Sequence, residues 1–155
     1  MKVNDVMKTE VGFCSPEDSL MKAADIMRSR DCGAVPIVDE NKRAIGILTD
    51  RDLCLAVVAR NRKASDVKTV ELINGKLIVC AAEDKLGDAL RKMRKYRIKH
   101  LVAVGSEGEL IGILPLSDVL LSVGKDKDLK KTFYSTLKAI YKPQPIVLRE
   151  IESEN

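Results

Sequence analysis

The chain has 155 residues, of which 45% are hydrophobic and 32% are charged. This is the composition of an ordinary globular protein, long enough for one compact domain or for two small halves that share a core. Its 27 basic and 23 acidic side chains leave a formal charge of only +4, typical of a mixed-sign solvated surface, so nucleic acid is not expected as a partner.

The N-terminal stretch MKVNDVMKTEVGF contains no apolar segment of the kind that a secretory signal requires. The longest apolar runs, such as 53–59, are far shorter than the roughly 20 residues of a membrane span. We therefore expect a cytoplasmic protein that does not enter a membrane. Its four cysteines form no C-x-x-C pair and it has one histidine, so we predict reduced thiols and no metal site.

The first part of the chain predicts the order strand, helix, strand, strand, helix. A short strand is expected at 11–14, and the stretch SPED at 15–18 has the spacing of a capping box at a helix start. Apolar residues then recur at helical spacing over 20–27. The strands AVPIV and AIGIL follow, separated by a polar turn, and a second helix is predicted from Asp50 to Arg60.

The same order recurs in a second copy. Displaced by 66 positions, the chain aligns with itself over about 40 residues without a gap, and GILTDRD at 46–52 falls on GILPLSD at 112–118. The last helix of this copy is predicted at 116–123. The second copy also contains TVELINGKLIVC at 69–80, in which Asn74-Gly75 between alternating apolar residues predicts a two-residue hairpin.

These patterns divide the chain into four segments. We place the first copy at 1–60, a polar linker at 61–68, the second copy at 69–123, and a C-terminal helix with its tail at 124–155. Neither copy of about 60 residues buries enough surface to be stable alone. The predicted fold is α+β: two βαββα repeats packed sheet to sheet with pseudo-two-fold symmetry, related clefts between them, and a C-terminal amphipathic helix.

The C-terminal helix is predicted from Lys127 to Tyr141, where apolar residues recur every three or four positions. Two hypotheses account for this apolar stripe: it packs on its own domain, or it forms a dimer contact. The lysines on the opposite face are expected to be solvated. The final stretch, KPQPIVLREIESEN, is expected to be extended or disordered.

The turn that ends the third strand of the first copy carries the strongest functional pattern. Thr49 ends the strand and Asp52 lies three residues further on, at a helix start whose free N–H groups favour an anion. The carboxylate could accept hydrogen bonds from both hydroxyls of a ribose. The same Thr-x-x-Asp spacing also forms a capping box that needs no ligand, and the four-residue pattern taken alone favours that interpretation.

In these motifs the sequence resembles a tandem pair of CBS (cystathionine β-synthase type) domains, a Bateman module. The resemblance covers residues 1 to about 122 and rests on SPEDSLMKAADIM, AVPIVDE and GILTDRDL in the first copy. In the second copy it rests on AEDKLGDALRKM, HLVAV and GILPLSDV. It implies a regulatory module that binds AMP, ADP, ATP or S-adenosylmethionine between its two halves and needs no cofactor.

The resemblance also implies roles for individual residues. Asp52 would hold the ribose diol, and Thr49 the ribose or first phosphate. The base would be lined by the backbone around Val35 and Pro36, together with the strand at Phe13 and Cys14. Phosphate would be met by Arg51, Lys99 and His100, although each of these also has a structural interpretation: a solvated charge for Arg51 and Lys99, and a structural histidine for His100.

The second cleft departs from the pattern. Pro115 replaces the threonine and has neither a hydroxyl nor an N–H, so two donors are lost, while Asp118 is retained. Pro115 could equally be no more than a helix start that Ser117 and Asp118 help to cap. We predict unequal clefts, with the one at Thr49 and Asp52 the better site.

Motifs for catalysis are missing: the sequence has no G-x-x-x-x-G-K-[ST], G-x-G-x-x-G, H-E-x-x-H or G-x-S-x-G. We therefore expect no enzymatic activity. The function predicted is a stand-alone ligand sensor that acts through a change in conformation or dimer, as a homodimer with an unidentified effector protein. The alternative is a scaffold that binds protein or nucleic acid through the basic C-terminal helix while its clefts stay empty.

Overall fold

A computed structural model describes residues 1–73 and 75–143. Within these residues the chain forms five α-helices and two small sheets, and the predicted α+β architecture with a C-terminal helix is confirmed. The elements of the first copy are α1 (Leu20–Ser29), β1 (Ala34–Val38), β2 (Ala44–Thr49) and α2 (Asp50–Val57). Those that follow are β3 (Val79–Ala81), α3 (Leu86–Tyr96), β4 (His100–Val104), β5 (Leu110–Pro115), α4 (Leu116–Ser122) and α5 (Lys127–Tyr141).

These elements pack into two lobes, each around its own apolar core. In the first lobe β1 pairs antiparallel with β2, and α1 and α2 cover the sheet. In the second lobe β3 runs parallel to β4, which pairs antiparallel with β5, and α3, α4 and α5 surround the core. None of the helices in the described ranges has the length and apolar character that crossing a membrane requires.

Three boundaries in the first lobe differ from the sequence prediction. The strand expected at 11–14 is a single bridge at Cys14, whose N–H donates to the Pro36 carbonyl at 3.0 Å. The stretch SPED does not start a helix: the Ser15 N–H donates to Asp18 Oδ2 at 2.7 Å and closes a turn, and α1 begins at Leu20 after the N-cap Ser19. α2 ends at Val57 rather than Arg60.

The prediction of a hairpin around Asn74-Gly75 is wrong for its first strand. Residues Thr69–Leu72 form a short 3-10 helix instead of a strand, and Asn74 itself lies outside the described residues. The reason is a set of tertiary contacts made by Thr69. Thr69 is fully buried, its N–H donates to the Asp18 carbonyl at 2.8 Å, and its hydroxyl donates to the carbonyls of Ser15 at 2.7 Å and Pro16 at 3.1 Å. These contacts hold the segment against the first lobe.

Thr69→Val tests this anchor, because valine keeps the shape and removes the hydroxyl. Both acceptor carbonyls keep another donor, Asp18 N–H for Ser15 and Val70 N–H for Pro16. We therefore expect a loss in the free energy of unfolding of about 1 kcal/mol, the lower end for a buried hydrogen bond. Urea denaturation measures it. A Thr69→Val variant as stable as the wild type would contradict the assignment.

The lobes exchange their leading segments. The start of the chain packs on the second lobe: Val3 is fully buried in its core, and Lys8 exchanges two backbone hydrogen bonds with Ile113, both at 2.9 Å. Conversely, Val67, which precedes the second copy, is buried in the core of the first lobe and accepts the Leu20 N–H at 2.9 Å. Each lobe is therefore completed by the segment that leads into the other copy.

Helix α5 packs on the second lobe through its apolar stripe. Leu129 and Phe133 belong to the core of that lobe, and the Thr136 hydroxyl donates to the Leu90 carbonyl of α3 at 3.2 Å. The predicted helix bounds, Lys127 to Tyr141, are confirmed, as is packing on its own domain. The stretch after Pro143, expected to be extended or disordered, lies outside the described residues.

Candidate functional site

Two clefts lie between the lobes at positions related by the repeat. The first has a volume of about 410 Å³, within the usual range for a small-molecule site, and the second about 140 Å³. The first is lined by residues 45–47, 49–51, 73, 75–78 and 97–100. The second is lined by residues 8, 10–12, 30–34, 100, 113, 115 and 117. Each cleft joins the strand end of one copy to residues of the other.

The wall of the first cleft is built around Thr49, the last residue of β2 and the N-cap of α2. Its N–H and hydroxyl donate to Asp52 Oδ2 at 2.8 and 2.7 Å, and its Oγ1 accepts the Asp52 N–H at 3.3 Å. The capping-box interpretation is thus realised in the structure. The capping box does not use both acceptor atoms of Asp52. Within the described residues, the hydrogen bonds to this carboxylate go to Oδ2, which leaves Oδ1 for another donor.

Four basic side chains and one acidic side chain line the first cleft. They are Arg51, Lys76, Arg97, Lys99 and Asp50. The second cleft is balanced, with Lys8 and Arg30 against Glu10 and Asp31. An excess of positive charge at a helix N-terminus favours an anionic ligand in the first cleft only.

Two of these cations also contact the end of α5. Lys99 Nζ lies 4.6 Å from the centroid of the Tyr141 ring, a cation–π contact. Arg97, which caps α3 in the left-handed conformation with φ 55°, donates from Nη2 to the Lys142 carbonyl. Arg97 and Lys99 therefore connect the first cleft to the end of the C-terminal helix.

His100 lines both clefts and faces Pro115 across the β4–β5 pair. Burial lowers the pKa of this imidazole below its usual value; the carboxylates of Asp50 and Asp118 act in the opposite direction, and Lys99 adds to the lowering. The side chain is therefore neutral at neutral pH and can both donate and accept a hydrogen bond.

Because the pKa of His100 is lower in the folded than in the unfolded chain, protonation favours unfolding. The free energy of unfolding is therefore unaffected by His100 above the unfolded pKa of about 6.5, where the imidazole is neutral in both states. It decreases as the pH falls below that value, because the unfolded chain binds the proton more readily. We expect His100→Gln, which cannot be protonated, to lose less stability than the wild type between about pH 7.5 and pH 5.5. Urea midpoints at the two pH values measure this, and equal losses in both proteins would contradict it.

The second cleft lacks the polar features of the first. Pro115 occupies the position of Thr49 and is the N-cap of α4, with no side-chain hydrogen bond to the helix. Asp118 is half-buried beside Lys8, with Nζ at 3.6 Å from Oδ2, and accepts the Ser117 hydroxyl on Oδ1 at 3.2 Å. Both carboxylate oxygens already have partners in the chain, in contrast to Asp52.

The ten residues predicted for ligand binding separate into two groups. Thr49, Arg51, Lys99 and His100 line the first cleft. The other six lie outside both linings. Of these, Asp52 is bonded to Thr49 and Asp118 pairs with Lys8 of the second cleft. Cys14, Val35 and Pro36 are buried inside the first lobe, and Phe13 is 45% exposed. Their roles in binding stay predictions.

Lys76 and Arg97 were missed by sequence reasoning. They belong to no repeated motif, and only the packing of the two lobes brings them opposite Thr49. All four cysteine thiols are free, and burial raises the pKa of Cys14 and Cys80 to about 11, which makes these two poor nucleophiles. Among the residues that the structure describes, no group of three His, Cys, Asp or Glu side chains is placed to hold a metal ion.

Comparisons with known proteins agree with this geometry. The family model described as CBS domain matches twice, at residues 3–59 and 67–125. The CBS domain-containing protein YhcV of Bacillus subtilis is 32% identical over 124 residues, which cover 77% of this chain and 84% of that protein. Inosine-5'-monophosphate dehydrogenase of Methanocaldococcus jannaschii is 34% identical over 120 residues, 77% of this chain but only 23% of the enzyme.

A solved structure gives the same result at the level of the fold. It is the CBS domain pair of protein MJ0100 in complex with 5'-methylthioadenosine and S-adenosyl-L-methionine. It superimposes with a TM-score of 0.72 at 25% identity, covering 82% of this chain and 98% of the other.

Proposed function

Since the chain belongs to the CBS domain family and carries two CBS repeats, we propose that it is a regulatory protein that binds an adenosine nucleotide in the first cleft. The observation that carries the proposal is Thr49 at the N-terminus of α2, which lines a cleft with an excess of basic side chains and is hydrogen-bonded to Asp52. The CBS pair of MJ0100, which is similar in fold and sequence, supports an adenosine-type ligand.

Each part of such a ligand has a counterpart in the cleft. Isoleucine side chains from both copies, Ile45 and Ile47 facing Ile78 and Ile98, form an apolar slot for adenine. Asp52 Oδ1 would accept from the ribose, joined by the Thr49 hydroxyl. The backbone N–H groups at the start of α2 and the basic side chains would hold phosphate. Arg51 and Lys99 keep the phosphate role predicted from the sequence.

The charge of the cleft selects among adenosine ligands. S-adenosylmethionine carries a sulfonium cation, which the four basic side chains would repel, whereas each phosphate of AMP, ADP or ATP would be attracted. We therefore propose AMP, ADP or ATP, and not S-adenosylmethionine, as the regulatory ligand. This preference differs from the ligands of MJ0100.

The contacts of Lys99 and Arg97 provide a route for signalling. A phosphate that draws Lys99 from the Tyr141 ring, and Arg97 from the Lys142 carbonyl, would loosen the last turn of α5. Homodimerisation is supported by Leu55 on α2 and Leu121 on α4, which occupy equivalent positions in the repeat and are 50% and 85% exposed. An effector protein would respond to the end of α5 or to the dimer. Free thiols are compatible with the cytoplasm.

Thermal unfolding with AMP, ADP, ATP, adenosine and S-adenosylmethionine tests the proposal, with isothermal titration to count sites. Ligands that bind the folded state raise the midpoint with concentration, by about 2.7 kcal/mol of added stability at a concentration 100 times the Kd. We expect the phosphorylated ligands to raise it and S-adenosylmethionine to have little effect. A flat response to all five would reject ligand binding, and a larger response to S-adenosylmethionine would reject the charge argument alone.

A further inference from the structure

The basic charge of the chain is concentrated on one face of the second lobe. Residues 86–99 and 125–142, which contain α3 and α5, carry 12 basic and 3 acidic side chains. The rest of the chain carries 15 basic and 20 acidic side chains. The small formal charge of the whole protein therefore conceals a strongly positive face opposed to a negative remainder. We call this face the α3–α5 surface.

The positive charge of this surface is largely uncompensated. Among the described residues, the ion pairs that involve α3 or α5 are Arg91 with Asp88 and Lys92 with Asp84, both on α3. The α5 residues Lys130, Lys131 and Lys138 are exposed and belong to no ion pair in the described ranges. Such a surface attracts a polyanion over a long range at low salt.

Tyrosines are interleaved with these charges. Tyr134 on α5 is 63% exposed and Tyr96 at the end of α3 is 45% exposed. Tyr134 lines a shallow groove together with Lys130, Lys131, Ser135 and Lys138. Arg94 Nη1 of α3 donates to Ser135 Oγ at 3.1 Å, so the basic residues of the two helices form one continuous surface.

We propose that the α3–α5 surface binds single-stranded nucleic acid. Lys130, Lys131 and Lys138 contact successive phosphates, and the Tyr134 ring between them stacks on a base. Lys138 Nζ lies 5.2 Å from the centroid of the Tyr134 ring, a cation–π contact. The combination of exposed aromatic rings with cations that belong to no ion pair in the described ranges favours this ligand over an acidic protein, which needs the charges but not the rings. It also favours single strands over a duplex, whose bases are not available for stacking. Arg97 and Lys99 of this surface line the adenosine cleft, but the residues that contact the strand, Lys130, Lys131, Tyr134 and Lys138, do not, so the proposal is independent of the adenosine site.

The test is fluorescence anisotropy with labelled oligo(U) and oligo(dT) of about 12 nucleotides. The full chain is titrated between about 50 and 200 mM salt. The variant K130Q/K131Q/K138Q should lower the slope of log K against log salt by about 2, since each phosphate contact to a single strand contributes about 0.7. The matched control K22Q/K42Q/K63Q removes the same charge from the first lobe and should leave the slope unchanged.

Tyr134 separates stacking from charge alone. Tyr134→Ala should weaken binding at least about fivefold, the lower limit for the loss of one stacked base, whereas Tyr134→Phe keeps the ring and the affinity. Similar affinities for oligo(U) and oligo(dT) would support contacts to the phosphate backbone and base stacking. Three results would overturn the proposal: equal effects of the two lysine triples, equal affinity for a duplex with no effect of Tyr134→Ala, or displacement by polyglutamate as effective as displacement by oligonucleotide.

Discussion

Asp52→Asn is expected to weaken binding of AMP, ADP or ATP in the first cleft by about 100-fold. Hydrogen bonds to a charged acceptor contribute about 1.5–3 kcal/mol each, and the loss of the carboxylate charge toward two ribose hydroxyls amounts to about 3 kcal/mol. The asparagine amide oxygen can still accept from Thr49, whose donors now go to Oδ2. The cap of α2 should therefore survive, and isothermal titration can be read without a folding defect.

Asp118→Asn is the matched control at the equivalent position of the repeat. Asp118 already has Lys8 and Ser117 as partners and lies beside Pro115, which offers no donor. We expect nucleotide affinity to change less than about threefold, because no ribose contact is lost. Equal losses in the two variants would contradict the prediction of unequal clefts, and unchanged binding in both would remove Asp52 from the site.

Gly112→Ala is expected to lower the free energy of unfolding by about 3 kcal/mol, at the upper end of the usual cost of overpacking. A Cβ atom at this position would lie 2.8 Å from the Lys8 carbonyl oxygen and 2.8 Å from Met7 Sδ. The Lys8 carbonyl cannot move away freely, because it accepts the Ile113 N–H at 2.9 Å. The methyl group would therefore force the leading segment off the second lobe.

Gly46→Ala is the repeat-related control. Its Cβ would lie 2.9 Å from Ile73 Cγ1, a side-chain atom that accepts no hydrogen bond, unlike the Lys8 carbonyl beside Gly112. We expect a smaller loss than for Gly112→Ala, about 1–2 kcal/mol. Urea denaturation of both variants measures the difference. A cost for Gly46→Ala equal to that for Gly112→Ala would show that the exchanged leading segment does not constrain β5.

Local patterns were sufficient where an element depends mainly on its own apolar spacing. The bounds of helix α5 were predicted correctly from its apolar stripe alone, and the structure adds Asp126 as the N-cap, which accepts the N–H groups of Asp128 and Leu129. Prediction failed where a distant contact decides the conformation. Asn74-Gly75 is a strong hairpin pattern, yet the preceding residues turn into a 3-10 helix because Thr69 is anchored to the first lobe.

Only part of the candidate site could be predicted from the sequence. The motif that ends β2 identified Thr49 and Asp52, since a helix start and a carboxylate at fixed spacing are local features. The facing wall comes from the second copy, from which the sequence identified Lys99 and His100 but not Lys76 and Arg97. These two belong to no repeated motif, and only the packing of the two lobes brings them opposite Thr49. The roles of Phe13, Cys14, Val35 and Pro36 stay predictions.

The exchanged leading segments have a consequence for how the protein is made. During synthesis the ribosome releases Val3 and Lys8 well before their hydrogen-bond partners, Asp84 and Ile113. The segment around Val3 and Lys8 therefore lacks its packing partners until β5 has been synthesised. Each lobe needs the leading segment of the other copy to complete its core, so neither lobe should unfold independently. Heat or denaturant should therefore produce one cooperative transition.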